Sequence, residues 1–345
     1  MKLNDLFDTN CKDVYVIAEV SQNHDGSLGQ AHAFIDAVST TGADAIKFQT
    51  HIADAESSID EPFRVNFSYE DNTRYDYWKR MEFTKEQWIG LMKHANEKGL
   101  DFLSSPFSKE AVDLLENIGI PGWKVGSGEV FNKYLLKEMA STKKPILLSS
   151  GLSTYSDIKN QVQTINDCGN DKIGIMQCTT AYPSSYDEVG LNVIQKLIED
   201  YGYPIGLSDH SGTMYPSLAA VALGAKIVET HISMSKWMFG PDVSSSLTVE
   251  DFSNMVRGIR ATTTMRCSEV DKNSISSSKK QLKSIFSKGI YAAFDICAGE
   301  KITIHNISMK KPFRGIPADN YEQIIGKNAL SFISKGTAIT EDMIG

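Results

Sequence analysis

The chain has 345 residues, a formal charge of -8, 41% hydrophobic residues and 23% charged ones. That length calls for one large barrel or two domains. The acidic balance excludes nucleic acid or an anionic membrane as the main partner, while a few local cations would suffice for a phosphorylated substrate. Cys11, Cys168, Cys178, Cys267 and Cys297 form no C-x-x-C pair, and MKLNDLFDTNCKD at the start lacks the apolar stretch of a signal peptide. No window approaches the roughly 18 apolar residues of a membrane span. The expectation is a cytoplasmic protein with reduced thiols.

From residue 13 to about 260, short β-branched runs alternate with helical patterns. Strands are predicted at 14–20, 45–49, 101–104, 123–126, 145–149, 172–177, 204–207 and 226–230. Between the first two, Leu28, Ala31, Phe34, Ile35 and Val38 follow a 3.6-residue period and stop before Gly42. Thr84-Lys-Glu-Gln87 is a capping-box pattern that opens a helix through Trp88, Leu91, Met92 and Ala95. Thr248-Val-Glu-Asp251 opens the last such helix, which presents Phe252, Met255, Val256 and Ile259. Eight strand–helix units in about 250 residues have the rhythm of a (β/α)8 TIM barrel, with a doubly wound open sheet as the competing topology.

Residues 1–265 are therefore read as a catalytic barrel. The serine-rich, core-poor stretch 266–284 reads as a linker. In 285–345, Ile296-x-x-Gly299-x-x-Ile302-Thr303 recurs as Ile333-x-x-Gly336-x-x-Ile339-Thr340. That repeat predicts a small, mostly β module, marginal alone, that docks on something.

In a barrel the C-terminal strand ends converge on one mouth. Strand one ends at Glu19 and leads to Ser21, Asn23 and His24; strand two carries Lys47 and Gln49. Strand three ends at Ser104-Ser105, strand four carries Lys124 before Ser127-Gly128-Glu129, and strand five ends at Ser149-Ser150-Gly151. Strand six leads to Thr179-Thr180 and Tyr182, strand seven to Ser208-Asp209-His210, and strand eight to His231. A single strand-end serine is more often a helix cap than a ligand. Two lysines on buried strands are different, because a buried ammonium needs an anion or acid beside it. Lys47 and Lys124 thus point to an anion site completed by serines and backbone amides.

His210 and His231 close neighbouring strands about 4.8 Å apart, so their imidazoles can share a divalent cation with open positions for water or substrate. Asp242, after Gly240-Pro241, is either a third ligand or a substrate contact. Gly126-Ser-Gly128 fails as a dinucleotide fingerprint, because Phe131 stands at the third glycine position. Cys178 lacks the partners of a nucleophile and reads as a buried structural thiol. The aromatic stretch with Arg64, Tyr69, Arg74, Tyr75, Tyr77 and Trp78 forms either a lid over the mouth or packing on the helical ring.

With these motifs in order, the chain resembles the bacterial sialic acid synthase family, which includes N-acetylneuraminate, legionaminate and pseudaminate synthases. Ile17-Ala-Glu19-Val-Ser-Gln-Asn23-His24-Asp-Gly26, Gly42-Ala-Asp-Ala-Ile-Lys47-Phe-Gln49 and Lys124-Val-Gly-Ser127-Gly-Glu129 carry the resemblance. Gly206-Leu-Ser208-Asp-His210, Glu229-Thr-His231, Gly240-Pro-Asp242 and a C-terminal antifreeze-like (SAF) module continue it.

The resemblance implies a TIM barrel plus SAF domain in a domain-swapped homodimer. It also implies phosphoenolpyruvate on Lys47, Ser105, Lys124, Ser127, Ser149 and Ser208, and Mn2+ (or Co2+ or Mg2+) on His210 and His231. Glu19, Gln49, Tyr182 and Asp242 would face the sugar or the reacting centre, with Glu129 or Glu19 steering water. The expected reaction joins phosphoenolpyruvate to an N-acetylated amino-sugar aldehyde, giving a nonulosonate and phosphate. A synthase acting on a phosphorylated sugar and a non-catalytic sugar-binding protein are the alternatives. One departure stands out: Lys311-Pro-Phe-Arg314-Gly occupies the place of the family's Arg-Pro-Gly-x-Gly. Lysine cannot reproduce a bidentate arginine contact, so Arg314 is the alternative guanidinium.

Overall fold

A computed structural model describes residues 1–63, 65–274 and 277–345. The chain divides into two compact units, Met1–Ser268 and Glu269–Gly345.

The first unit is a parallel barrel. Its strands are β1 (Tyr15–Ser21), β2 (Ala45–Thr50), β3 (Asp101–Pro106), β4 (Trp123–Val125), β5 (Ile146–Ser149), β6 (Ile173–Cys178), β7 (Ile205–Asp209) and β8 (Ile227–Ser233). They pair in the order β3-β2-β1-β8-β7-β6-β5-β4, and β3 packs on β4 to close the ring. Helices α1 (Leu28–Ser39), α2 (Ala53–Glu56), α3 (Arg74–Met81), α4 (Lys85–Glu97) and α5 (Lys109–Ile118) connect the first half. The second half uses α6 (Lys133–Ser141), α7 (Tyr155–Asp167), α8 (Leu191–Asp200), α9 (Tyr215–Leu223) and α10 (Val249–Cys267). The capping box at Thr84 forms as expected, and Thr248 caps α10 by accepting from the Asp251 amide.

Strand alternation explains how the barrel is filled. Val16, Ala18 and Val20 of β1 point outward into the layer shared with the helices. Tyr15 and Ile17 point inward, where they join Ala45, Leu103, Leu147, Met176 and Ile227 above a plug made by Leu3 and Leu6. Continuing each inward series by two residues reaches Glu19, Lys47, Ser105, Ser149, Cys178 and Glu229. The barrel floor is apolar and its upper layer is polar, by the same period-two rule.

The stretch 266–284, expected to be an open linker, differs. The helix α10 runs on to Cys267, and α11 occupies Ser277–Phe286. Lys279, Lys280, Gln281 and Leu282 are good helix formers, and Leu282, Ile285 and Phe286 share one face. The serine content masked that signal.

Within the second unit, β9 (Gly289–Ala292) and β10 (Ile307–Lys310) pair antiparallel. The two repeat copies meet each other: Ile296 bridges to Ile333, and Ile302 and Ile339 join both of them in the unit's core.

Candidate active site at the barrel mouth

A cavity of about 400 Å3 opens at the C-terminal ends of the strands. Glu19, Lys47, Gln49, Ser105, Lys124, Ser127, Ser149, Tyr182, Ser208, His210, His231 and Asp242 all line it. These residues come from β1 to β8 and their following loops, and parallel register places them at one level: Glu19 pairs with both Lys47 and His231.

Each lysine is buried and already partnered. Lys47 Nζ lies 2.5 Å from Glu19 Oε2 and 3.8 Å from Glu229 Oε1. Lys124 Nζ lies 3.2 Å from Glu229 Oε1 and donates to Ser149 Oγ at 2.7 Å. Ser208 Oγ donates to Glu229 Oε1 at 3.1 Å, while Glu229 Oε2 has no hydrogen-bond partner among the described residues. The ammonium groups beside Glu229 hold its carboxyl well below the usual range against the opposing effect of burial. Each ammonium has three N–H donors, so part of that capacity still faces the cavity.

In the sequence, Glu229 stands out only as part of the Glu229-Thr-His231 motif. Its position two residues before His231, on the inward face of β8, is the signal that would have found it.

His210 and His231 stand with ring centroids 5.2 Å apart, and Tyr182 stacks on His210 at 4.1 Å. His210 Nδ1 is 2.7 Å from the Thr179 carbonyl, which can only accept, so Nδ1 carries the proton and Nε2 keeps its lone pair. Burial, with His231 beside it, lowers His210 to about 3 and keeps the ring neutral. His231 Nδ1 is buried without a hydrogen-bond partner among the described residues, and Asp242 Oδ2 lies 3.9 Å from it. Two imidazole nitrogens beside the Asp242 carboxyl group, one of them without a hydrogen-bond partner among the described residues, suit a divalent cation.

Within the first unit, one expected residue lies elsewhere. Glu129 is not among the residues lining the cavity. β4 ends at Val125, Gly126–Gly128 form the wall, and Glu129 begins a short 3-10 turn, Glu129–Phe131, where Asn132 donates to its carboxylate. Burial raises the Glu129 carboxyl, and Glu56 adds to that rise. Lys311 and Arg314 belong to the second unit, on its exposed surface.

The aromatic insertion supplies a wall of the cavity through Phe63, Val65, Phe67, Arg74, Tyr77 and Trp78. Tyr69 is exposed, and Arg64 lies outside the described residues. The Cys178 thiol also lines the cavity, 3.6 Å from Ser127 Oγ, and burial pushes it up. A protonated thiol agrees with a non-nucleophilic reading.

A closed (β/α)8 barrel with paired lysines, carboxylates and imidazoles at its mouth has the architecture and the site of an enzyme. Residues 34–271 match the NeuB family, and the chain belongs to it. Residues 287–345 match the SAF domain. The chain is 31% identical over 333 residues to N,N'-diacetyllegionaminic acid synthase of Legionella pneumophila, covering 94% of this chain and 93% of that protein. It is 30% identical to human N-acetylneuraminate-9-phosphate synthase, covering 96% and 92%. The crystal structure of N-acetylneuraminic acid (sialic acid) synthetase from Leptospira borgpetersenii, in complex with citrate, superposes with a TM-score of 0.68 at 26% identity. That match covers 78% of this chain and 90% of that one.

Proposed function

We propose that the protein condenses phosphoenolpyruvate with an N-acetylated amino-sugar aldehyde and water to give a sialic-acid-type nonulosonate and phosphate. The observation that carries this reading is the buried Lys47–Lys124 pair facing the two imidazoles across one cavity. Lys47, Lys124 and the hydroxyls of Ser105, Ser127, Ser149 and Ser208 bind the phosphate and carboxylate of phosphoenolpyruvate. Carbon 3 of the enol attacks the aldehyde carbon, and water adds at carbon 2. The bond from carbon 2 to the bridging oxygen then breaks, so that oxygen leaves with the phosphate. Glu19, held by Lys47 and Gln49 at the cavity wall, orients the water. Holding both substrates in one geometry supplies much of the acceleration.

His210 and His231, with Asp242 beside them, hold a divalent ion of the Mn2+ type. When bound, that ion supplies Lewis-acid polarisation of the sugar carbonyl. The active assembly is a homodimer in which the exposed Lys311–Arg314 turn of one SAF domain serves the partner's cavity; the resemblance of this module to the family's supports that reading.

The test is to incubate the protein with phosphoenolpyruvate carrying 18O in the bridging oxygen and a panel of free and phosphorylated amino sugars. The expected result is a nonulosonate by mass and label in the released phosphate. Phosphate release with phosphorylated acceptors alone would favour the phosphosugar reading, and none with any amino sugar would defeat the proposal.

A further inference from the structure

Behind the cavity wall lies a buried ring system that the reaction described above does not use. His51 follows β2 directly, and its imidazole is sandwiched between Trp78 at 3.7 Å and Phe107 at 4.2 Å, nearly parallel to both. One edge meets a carboxylate: His51 Nδ1 is 2.7 Å from Glu56 Oε1, and both side chains are buried. The short helix α2 exists in the right place to bring Glu56 back over β2. The opposite edge meets an amide, with His51 Nε2 3.2 Å from Gln49 Oε1.

The orientation of that amide follows from its other contacts. Gln49 Nε2 donates to Glu19 Oε1 and to Ser21 Oγ, both at 3.0 Å, and Gln22 Nε2 donates to Gln49 Oε1 at 3.3 Å. Turning the amide over would set its oxygen against the Glu19 carboxylate and its nitrogen against the Gln22 amide nitrogen. With the amide as placed, Gln49 Oε1 only accepts, so His51 Nε2 must donate. At the other edge, the 2.7 Å contact between His51 Nδ1 and Glu56 Oε1 needs a proton between two atoms that otherwise only accept. Ordinary acidities put that shared proton on imidazole rather than on carboxylate, so both nitrogens carry protons. The flanking aromatic faces favour a cation between them.

We propose that His51 is a positioning residue, an imidazolium clamped by Glu56, Trp78 and Phe107, that locks the Gln49 amide and through it aims the Glu19 carboxylate into the cavity. All of Gln49's polar capacity is used by protein groups, so Gln49 acts through Glu19 rather than on the sugar. The charged and titratable groups around His51 are Glu56 on α2, Glu129 beside Glu56, Glu19 and Lys47 beyond Gln49, and His24, whose protonated form His51 disfavours. The inference rests on the proposed function for its kinetic consequence, but not for the state of His51.

The test labels the seven histidines with 15N and assigns His51 from the spectrum of His51→Gln. At about pH 8, where an ordinary imidazole of pKa about 6.5 is neutral, wild-type His51 is expected to show both ring nitrogens protonated. In Glu56→Gln the imidazolium signature is expected to disappear at the same pH. Glu56→Gln is also expected to lower kcat about tenfold while KM for phosphoenolpyruvate stays within about threefold, because Glu19 is misaimed while Glu229 and Ser149 still hold Lys47 and Lys124 in place. A neutral wild-type His51, or an unchanged kcat in Glu56→Gln, would overturn the proposal. If no acceptor is turned over by the wild type, the functional reading fails, while the nitrogen spectrum still decides the clamp.

Discussion

Lys124 and Glu229 meet across the top of the barrel, Nζ to Oε1 at 3.2 Å, with both side chains almost fully removed from water. The same Glu229 oxygen lies 3.8 Å from Lys47 Nζ, so one carboxylate serves two ammonium groups. Removing one partner of such a buried set leaves uncompensated charge, which costs about 3–5 kcal/mol. Glu229→Ala is expected to lower the unfolding free energy from urea denaturation by that order, with a lower midpoint, and adding Lys124→Met should recover part of the loss. Equal midpoints for wild type and Glu229→Ala would mean that water or a relaxed lysine replaces the pair.

His24 gives a pH prediction. Its ring is fully buried against Phe83, the Gly26 amide donates to its Nδ1, and burial lowers its pKa to about 3. The folded state therefore binds this proton less readily than the unfolded chain, whose histidine titrates near 6.5. The stabilising contribution is complete above about pH 6.5 and is lost as pH falls toward about 3, at about 1.4 kcal/mol per pH unit. His24→Gln is expected to flatten the wild-type stability profile by that slope between those limits. Parallel profiles from chemical denaturation at a series of pH values would show that His24 titrates alike in both states.

Much of this site follows from strand alternation, and the remainder has identifiable physical causes. Tyr15, Ile17 and Glu19 share an inward face because the period is two, which is why strand ends found by pattern led to a common cavity. Glu229 is legible as an inward-facing residue of β8, but its pairing with Lys47 and Lys124 is not, since it depends on how strands distant in sequence meet at the top of the barrel. Pattern alone suggested a free anion site, whereas the protein supplies its own counter-charges. Glu129 illustrates a different limit: a tight turn after a three-residue strand rotates a side chain away from the rim, and no periodicity describes turns. The His51 clamp was hidden because its contacts come from α2, α3 and the loop after β3, elements whose mutual placement depends on packing of the insertion.

Gly151 stands where the chain leaves β5 against the cavity wall. A Cβ there would lie 2.5 Å from Thr180 Oγ1, 2.6 Å from Ser127 Oγ and 3.2 Å from Cys178 Sγ. Overpacking of this kind costs about 1–3 kcal/mol and forces the neighbouring hydroxyls to move. Ser127 is assigned to phosphoenolpyruvate, so Gly151→Ala is expected to raise the Kd for that ligand by about tenfold, measured by calorimetry without acceptor sugar. An unchanged Kd would remove Ser127 from the binding set.

The imidazole pair makes the last prediction, and its logic is one of unsatisfied valence. His231 Nδ1 is buried with no hydrogen-bond partner among the described residues, an arrangement that ordinarily costs about 1–3 kcal/mol. The Thr179 carbonyl engages His210 through Nδ1, which leaves Nε2 free to coordinate. A cation on these nitrogens would satisfy both and remove the penalty, so the apoprotein should be less stable than the metal-loaded one. Mn2+ titrated into chelator-treated protein is expected to bind at one site per chain and to raise Tm. Replacing His231 with Gln should weaken that binding by at least about tenfold while leaving the apoprotein as stable as before or slightly more so, because the orphaned nitrogen is gone. Retention of wild-type Mn2+ affinity in His231→Gln would place the metal elsewhere, and no thermal shift on loading would show that the buried nitrogen is satisfied by other means.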